Sequence, residues 1–468
     1  MARVGETISF PFQPRPYQVP SFKARANGMK RGLCIWPRRH GKDLHFLTLM
    51  AGEALKRKGL YNYYWPTFSL GKKTIWKGMD REGKPFIDYI PKDLVVDKNE
   101  TELRLELSNG SILQIIGTDN INQNVVGINP VGCGFSEYPL QNPMAWELTR
   151  PILKENGGWA WFLYTPRGRN HGYRLYQSAL ENPETWFVSH LNILQTSRAD
   201  GTPIMTPADV ESEIKEGMDP DLAQQEYYCS FDAPMQGSYY GRLLSDAFKQ
   251  DRVGFFPYNP AFQVISGWDI GTEDPTAIWY AQLIGEEIRL IDYYEAVGED
   301  FYHYFKHTMD QPWRNSEVHV PFDIEKTDWG TGKSAGEIAV KAFSAVGVRV
   351  NVVGKLDVQE KIGVCRRLFP RMTFHDKTTG KVKYRGHSGT DTLASYHKKF
   401  NEDKQEYEQK PHHNWASHGA NALETLCLGI KDLKPRKVEG FYTTAFDPMK
   451  DIQEGQYETE FETEPAYN

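Results

Sequence analysis

Apolar and polar positions fall into two blocks of regular spacing with an aperiodic stretch between them. In the first block, from residue 31 to about 228, short apolar runs occupy 32–36, 61–65, 111–116, 130–135, 159–164 and 186–191. Stretches of helical period, such as 42–58 and 143–153, fall between most of them. Short apolar runs alternating with helices predict an α/β domain built on a mainly parallel sheet. Residues 233–260 break into Pro, Gly and Tyr without periodicity and are expected to form a linker.

The second block opens with strand-like runs at 263–270, 276–284 and 287–294. A helix near 301–313, a strand at 317–322, a helix at 334–345, a strand at 348–353 and further helices to about 430 follow. Three strands and then helix, strand, helix, strand is the order of a ribonuclease-H-like fold. Beyond residue 435 the chain is polar, acidic and rich in turn residues, which predicts a flexible tail. The expected organisation is an α/β domain over 1–232, a linker over 233–260, a ribonuclease-H-like domain over 261–435 and an acidic tail over 436–468.

Composition narrows the class. With 468 residues the chain suits two or three domains, and 40% hydrophobic residues are enough to build their cores. No apolar run approaches the 18 or so residues of a membrane span. The start, MARVGETISF, has neither the basic end nor the apolar run of a signal peptide, so a cytoplasmic protein is expected. The cysteines, Cys34, Cys133, Cys229, Cys365 and Cys427, lie far apart with no C-x-x-C pair, against a disulfide scaffold or a structural zinc site. Six of the 61 acids fall in 451–468, which holds no Lys or Arg, so the rest of the chain balances at 55 charges of each sign. Nucleic-acid binding by a neutral body has to use local grooves rather than bulk charge.

The segment Leu33-Cys34-Ile35-Trp36-Pro37-Arg38-Arg39-His40-Gly41-Lys42-Asp43 is an apolar run, a tight turn and a helix start. Phosphate binding needs that arrangement, because backbone N–H groups at a helix N-terminus face the anion and a lysine reaches the outer phosphates. Against the pattern G-x-x-x-x-G-K-[ST], Trp36 replaces the first glycine and Asp43 the final Ser or Thr. A basic surface turn leading into a helix is the competing reading. The apolar run at Val131 ends in Ser136-Glu137, where an ATPase needs a carboxylate to activate the attacking water; an ordinary strand-end Glu is the alternative. The Asp that commonly helps hold Mg2+ is replaced by Ser136. Asp43 and Ser136 together still offer one carboxylate and one hydroxyl, with the usual positions exchanged, although Asp43 also suits a helix N-terminal dipole.

These motifs resemble those of the large terminase subunit of tailed bacteriophages, an ATP-driven DNA-packaging motor and nuclease. The Pro37-Arg38-Arg39-His40-Gly41-Lys42 run is similar to that family's arginine-bearing phosphate loop, which makes Arg38 or Arg39 the implied cis-acting arginine finger. Residues 12–18, with Pro16-Tyr17-Gln18, resemble the adenine-recognising motif in which Gln18 reads the base. Pro66-Thr67 with Trp76 resembles a family hallmark, and Thr165-Pro166-Arg167-Gly168 resembles the motif, led by Thr165, that couples hydrolysis to DNA movement. The resemblance implies ATP with Mg2+ and double-stranded DNA. It also implies a portal protein, a small terminase subunit and a homo-oligomeric ring as partners, in the host cytoplasm.

In the second block Asp269 ends the run at 263–270 and Asp323 the run at 317–322. Acids at the ends of adjacent strands can hold the divalent cations that cut a phosphodiester; turn aspartates are the competing reading. The resemblance implies a third acid within S-H-x-A-D-A. The chain reads Ser417-His418-Gly419-Ala420-Asn421-Ala422, with an amide at the ligand position, and His418 and Glu424 flank Asn421 on one helical face. His387, His397, His412 and His413 are expected to be surface residues. Lys326, Lys333, Lys355, Lys361, Arg366, Arg367, Lys381, Lys383 and Arg385 are candidate phosphate contacts or solvated faces. The competing functions are a translocase or helicase without a working nuclease, and a non-catalytic DNA-binding virion component.

Overall fold

The computed structural model describes residues 9–431 except 121–124, 126, 272–273, 326–334, 383–385 and 402–405. The expected acidic tail at 436–468 and Lys326, Lys333, Lys383 and Arg385 lie outside the described residues, as does the side chain of Asp323.

Eight strands form the first sheet: β1 (Arg31–Ile35), β2 (Leu60–Trp65), β3 (Val95–Asn99), β4 (Arg104–Leu107), β5 (Ile112–Gly117), β6 (Pro130–Ser136), β7 (Trp159–Tyr164) and β8 (Trp186–His190). Their order is β3-β4-β5-β2-β6-β7-β1-β8, parallel from β5 to β8, with β3 and β4 added antiparallel at one edge. Every residue of β6 and β7 is buried, because both faces of the sheet are covered. Alternation along β7 divides its side chains between two cores. Trp159, Trp161 and Leu163 join one core, and Ala160, Phe162 and Tyr164 join the other. Such large aromatics need space on the neighbouring strands. A Cβ on Gly32 would stand 2.1 Å from Trp161, and one on Gly134 would stand 2.1 Å from Phe46. The order β6-β7-β1 sets three strand C-termini side by side, and the residues that leave them are Ser136-Glu137, Thr165 and the turn after Ile35. A crevice at strand C-termini is where open α/β sheets bind ligands.

The second sheet contains β9 (Val253–Gly254), β10 (Val264–Asp269), β11 (Thr276–Ile284), β12 (Glu287–Ala296), β13 (Asn315–Val320), β14 (Arg349–Val352) and β15 (Met372–His375). Its order is β14-β13-β10-β11-β12-β15-β9. β10, β11 and β12 are antiparallel, and β13 and β14 lie parallel to β10. That is the ribonuclease-H-like arrangement expected from the element order. A hairpin of β16 (Lys398–Asn401) and β17 (Glu406–Pro411) precedes the helix Ser417–Lys431. This helix lies against β10 so closely that a Cβ on Gly267 would stand 2.4 Å from Leu426.

The stretch 233–260 is more than a linker. It carries the helix Gly241–Lys249 and strand β9, and its Tyr239, Tyr240, Leu244 and Ala247 are buried in the second core. The helix is amphipathic, burying Gly241, Leu244, Ser245 and Ala247, but its nine residues lie between turn-rich flanks that mask it in the sequence. The two units also touch. Arg174, on the helix His171–Leu180, pairs with buried Asp391, and Lys381 Nζ lies 2.6 Å from Glu147 Oε1. Among the described residues, no helix is long and apolar enough to cross a membrane.

Candidate functional site

The turn after β1 is shaped by two left-handed residues, Arg39 (φ 62°) and Gly41 (φ 72°), before the helix Lys42–Lys56 begins. Gly41 tolerates that conformation because it has no side chain; Arg39 adopts it at a cost. Trp36, in place of the first glycine, is fully buried and donates from Nε1 to Ser189 Oγ at 2.9 Å. Lys42 Nζ donates to Trp36 O (3.0 Å), Pro37 O (3.1 Å) and Thr165 Oγ1 (2.9 Å). All three ammonium protons are thus engaged inside the turn. Thr165, buried beside Lys42, donates its own proton to Trp36 O at 3.2 Å.

Asp43 and Ser136, 93 positions apart, meet. Asp43 Oδ1 accepts from the Ser136 hydroxyl at 2.7 Å and from the Tyr63 hydroxyl at 2.6 Å. Burial, aided by the Asp43 charge, pushes the Tyr63 phenol well above its ordinary pKa, so it stays a donor. The donor set is all oxygen, as a hard cation such as Mg2+ requires. Glu137, the next residue, sits in the left-handed region (φ 52°) at the turn out of β6. Burial raises its pKa, opposed by the charges of Arg167 and Lys42. Its Oε2 has no hydrogen-bond partner and lies 3.7 Å from Arg167 Nη2. Arg167 also donates to Glu226 through a short hydrogen bond. Burial alone would raise the Glu226 carboxyl, but Arg167, with Arg38 and Lys42, holds it below the ordinary value.

The other expected nucleotide residues are near but differently engaged. Arg38 is largely exposed, with Nη1 3.9 Å from Glu226 Oε1, while Arg39 is exposed on the same turn. His40 is buried, with Nδ1 2.8 Å from Arg38 O, and burial pushes its pKa down to about 4, so it is neutral near pH 7. Gln18 accepts from Arg15 N (3.0 Å) and donates to His40 O and Gly41 O (both 3.3 Å), so its amide braces the turn. Thr67 caps the short helix Phe68–Gly71, and Trp76 donates to Glu100 at 2.5 Å; these contacts serve the fold. Tyr63, Arg167 and Glu226 complete the site but were not singled out from sequence. Arg167 lies in the quoted Thr165–Gly168 stretch, whereas Tyr63 reads only as a strand residue and Glu226 only as a helical acid.

In the second unit Asp269 ends β10, and its Oδ2 lies 3.1 Å from His418 Nδ1 in the first turn of the helix Ser417–Lys431. Burial alone would lower the His418 pKa, but the hydrogen bond and charge of Asp269 raise it. Asp323 lies in the 3-10 turn Phe322–Glu325 just past β13, the parallel neighbour of β10. Asn421 is half-buried one turn after His418. Glu424, one turn further, is buried and accepts from Tyr240 OH at 2.6 Å, and burial pushes its pKa up to about 7. It is therefore a weak substitute for an ionised ligand.

A carboxyl raised this way adds no penalty while both states are protonated, costs stability progressively as pH rises from the ordinary value of 4.5 towards its folded pKa of about 7, and beyond that costs a constant amount. Glu424→Gln should accordingly gain stability relative to the parent above pH 7, on the order of 3 kcal/mol for a shift of this size, and little at pH 4. Urea unfolding at the two pH values measures the difference.

The remaining histidines and basic residues behave unevenly. His387, expected at the surface, is buried with Nε2 3.0 Å from Glu295 Oε2, and His412 Nδ1 lies 3.4 Å from His397 Nε2. Lys355, Arg366 and Arg367 are exposed, Lys361 is half-buried, and Lys381 is committed to Glu147.

No protein-family model and no curated protein matches the chain. Among solved structures, the chain is similar to the large terminase of a thermophilic bacteriophage, at 16% identity over 90% of this chain and 100% of that one, with a TM-score of 0.38. It is similar to the large terminase ATPase domain of Thermus phage P74-26, at 17% identity over 47% of this chain and 95% of that one, with a TM-score of 0.37. Similarity to the nuclease domain of the P22 large terminase is 14% identity over 39% of this chain and 89% of that one, with a TM-score of 0.29.

Proposed function

We propose that the chain is a DNA-packaging terminase large subunit: an ATP-driven translocase of double-stranded DNA whose second domain cuts concatemeric DNA with divalent metal. The observation that carries the reading is the contact between Asp43 and Ser136 beside Lys42, Thr165 and Glu137, at the C-termini of adjacent strands. Lys42 and the turn residues Arg39 to Asp43 bind the phosphates, and Gln18 supports the turn from behind. Asp43 and Ser136 would hold Mg2+, which when bound would neutralise charge on the β- and γ-phosphates. Glu137 takes the proton of the attacking water. Arg38 supplies positive charge from the rim as the arginine finger.

Coupling follows from the same contacts. A phosphate that draws Lys42 away frees Thr165, and Arg167, two residues on, touches Glu137. The same segment leads to Asn170, which caps the helix His171–Leu180, and that helix carries Arg174 to Asp391 in the second unit. There Asp269, Asp323 and Asn421 are the proposed Mg2+ or Mn2+ ligands. The proposed partners are double-stranded DNA, a portal protein, a small terminase subunit and further copies in a ring, in the host cytoplasm. The amide at 421 favours one second reading, a translocase whose nuclease is inactive.

The exchanged magnesium ligands make a separable prediction. Asp43→Thr should weaken Mg2+-ATP binding, and adding Ser136→Asp should restore part of it, because groups on one ion couple. Nucleotide titration with and without Mg2+ measures this; strictly additive losses would argue against a shared cation. The function itself is tested by protection of DNA from DNase in the presence of portal-bearing procapsids. Protection that requires ATP and is lost in Glu137→Gln is expected. ATP hydrolysis without any protection would assign the motor to another task.

A further inference from the structure

We propose that Tyr63 is a positioning residue for Mg2+-ATP: its phenol holds the Asp43 carboxylate in an orientation that presents Oδ2 to the cation. Resting on the assignment of Asp43 and Ser136 as magnesium ligands, this gives a buried strand residue a role in nucleotide binding. Tyr63 lies on β2 opposite Gly134 of β6, two residues before Ser136, and Asp43 stands in the first turn of the helix Lys42–Lys56. Three separate elements thus converge on one carboxylate.

Asp43 Oδ1 accepts from the Tyr63 hydroxyl at 2.6 Å and from the Ser136 hydroxyl at 2.7 Å, and among the described residues no hydrogen bond engages Oδ2. A carboxylate oxygen has two lone pairs, so Oδ1 is filled and Oδ2 is left to meet a cation. Asp43 is only half-buried, which leaves it within a cation's reach. The phenol has little freedom to turn away. Its ring is fully buried, with the Phe46 ring centroid 4.7 Å and the Trp65 centroid 5.4 Å from its own. Phe46 lies one turn beyond Asp43 on the same helix, so the ring that packs Tyr63 and the carboxylate that Tyr63 holds share one rigid element.

The exchange at position 43 explains why such a partner is needed. The Ser or Thr of the usual pattern offers a single oxygen and needs no donor to choose between two. An aspartate turns about one bond more and carries two equivalent oxygens, and ligating carboxylates are characteristically fixed by hydrogen bonds from a surrounding shell. Ser136 cannot serve as that fixed point, because it is itself a proposed ligand. Tyr63 can, because the core clamps its ring. The departure of Asp43 from the familiar motif thus comes with a compensating hydroxyl on the neighbouring strand, 20 positions further along the chain.

The test is equilibrium binding of a fluorescent ATP analogue to the full chain, in Mg2+ and in EDTA, for the parent, Tyr63→Phe, Asp43→Thr and the double variant. Tyr63→Phe keeps the ring and removes one donor. It should weaken binding in Mg2+ by about 10–100-fold and raise the Mg2+ concentration needed for half-saturation. Binding in EDTA should stay as in the parent, which also establishes that the variant folds. In the Asp43→Thr background Tyr63→Phe should cost nothing further, because no carboxylate remains to be oriented. Equal losses with and without Mg2+ would reduce Tyr63 to a packing residue and overturn the proposal, as would additive losses in the double variant. If Asp43→Thr weakens Mg2+-dependent binding and Tyr63→Phe does not, the positioning role falls while the cation site stands. If neither variant alters the Mg2+ dependence, the assignment of Asp43 as a ligand falls with it.

Discussion

Lys42→Ala should abolish ATP turnover, and Glu137→Gln should preserve nucleotide binding while removing hydrolysis: these are the largest effects the site predicts. Lys42 is the buried cation whose protons are held by Trp36 O, Pro37 O and Thr165 until a phosphate competes for them. Without it the turn loses its charge for the outer phosphates. Glu137 is different, because its Oε2 is left without a hydrogen-bond partner and so can accept a proton from water. Loss of a general base costs about 100- to 10,000-fold. Burial raises the Glu137 carboxyl above its ordinary pKa, so the base protonates, and turnover falls, at a higher pH than for a free glutamate. The acid limb of the kcat profile should therefore lie above pH 4.5, the ordinary value. Steady-state hydrolysis and nucleotide titration on the two variants measure both effects. Undiminished turnover in either would remove that residue from the mechanism.

The second large effect belongs to position 421. Asp269 and Asp323 follow parallel neighbouring strands, and Asn421 lies one turn beyond His418, which contacts Asp269. Two-metal cleavage needs enough negative charge to hold both ions about 4 Å apart, and an amide supplies none. Glu424 cannot make up the difference, because its carboxyl is held by Tyr240 and raised to about 7. Asn421→Asp should raise Mn2+-dependent plasmid cleavage by about 10–100-fold, and Asp269→Asn in that background should remove the gain. ATP hydrolysis should stay constant throughout. Full cleavage already present with Asn421, or no response to the added carboxylate, would refute the cluster.

The parts of the fold that could be read from sequence are those with local signals. β6 and β7 are apolar at nearly every position because both faces are covered, and β11 shows its full length in the run 276–284. The order of the second sheet was legible for the same reason. β9 and β15 were not, because strands of two and four residues are too short to establish a period, and the helix Gly241–Lys249 is masked by its turn-rich flanks. The candidate site divides along the same line. Asp43 and Ser136 stood out because each departs from a familiar motif in a way that compensates for the other. Tyr63 and Glu226 are ordinary in their own segments and gain meaning only from contacts across 20 or more positions. Gln18 shows the reverse case, in which a motif match gave the location while the observed hydrogen bonds go to the turn backbone.

The central claim is that this chain hydrolyses ATP to move double-stranded DNA, and steady-state ATP hydrolysis in Mg2+ with and without linear duplex tests it most directly. The account predicts measurable turnover by the full chain that rises when duplex is added and disappears in Lys42→Ala. A folded chain that binds nucleotide yet shows no turnover, with or without DNA, would contradict it.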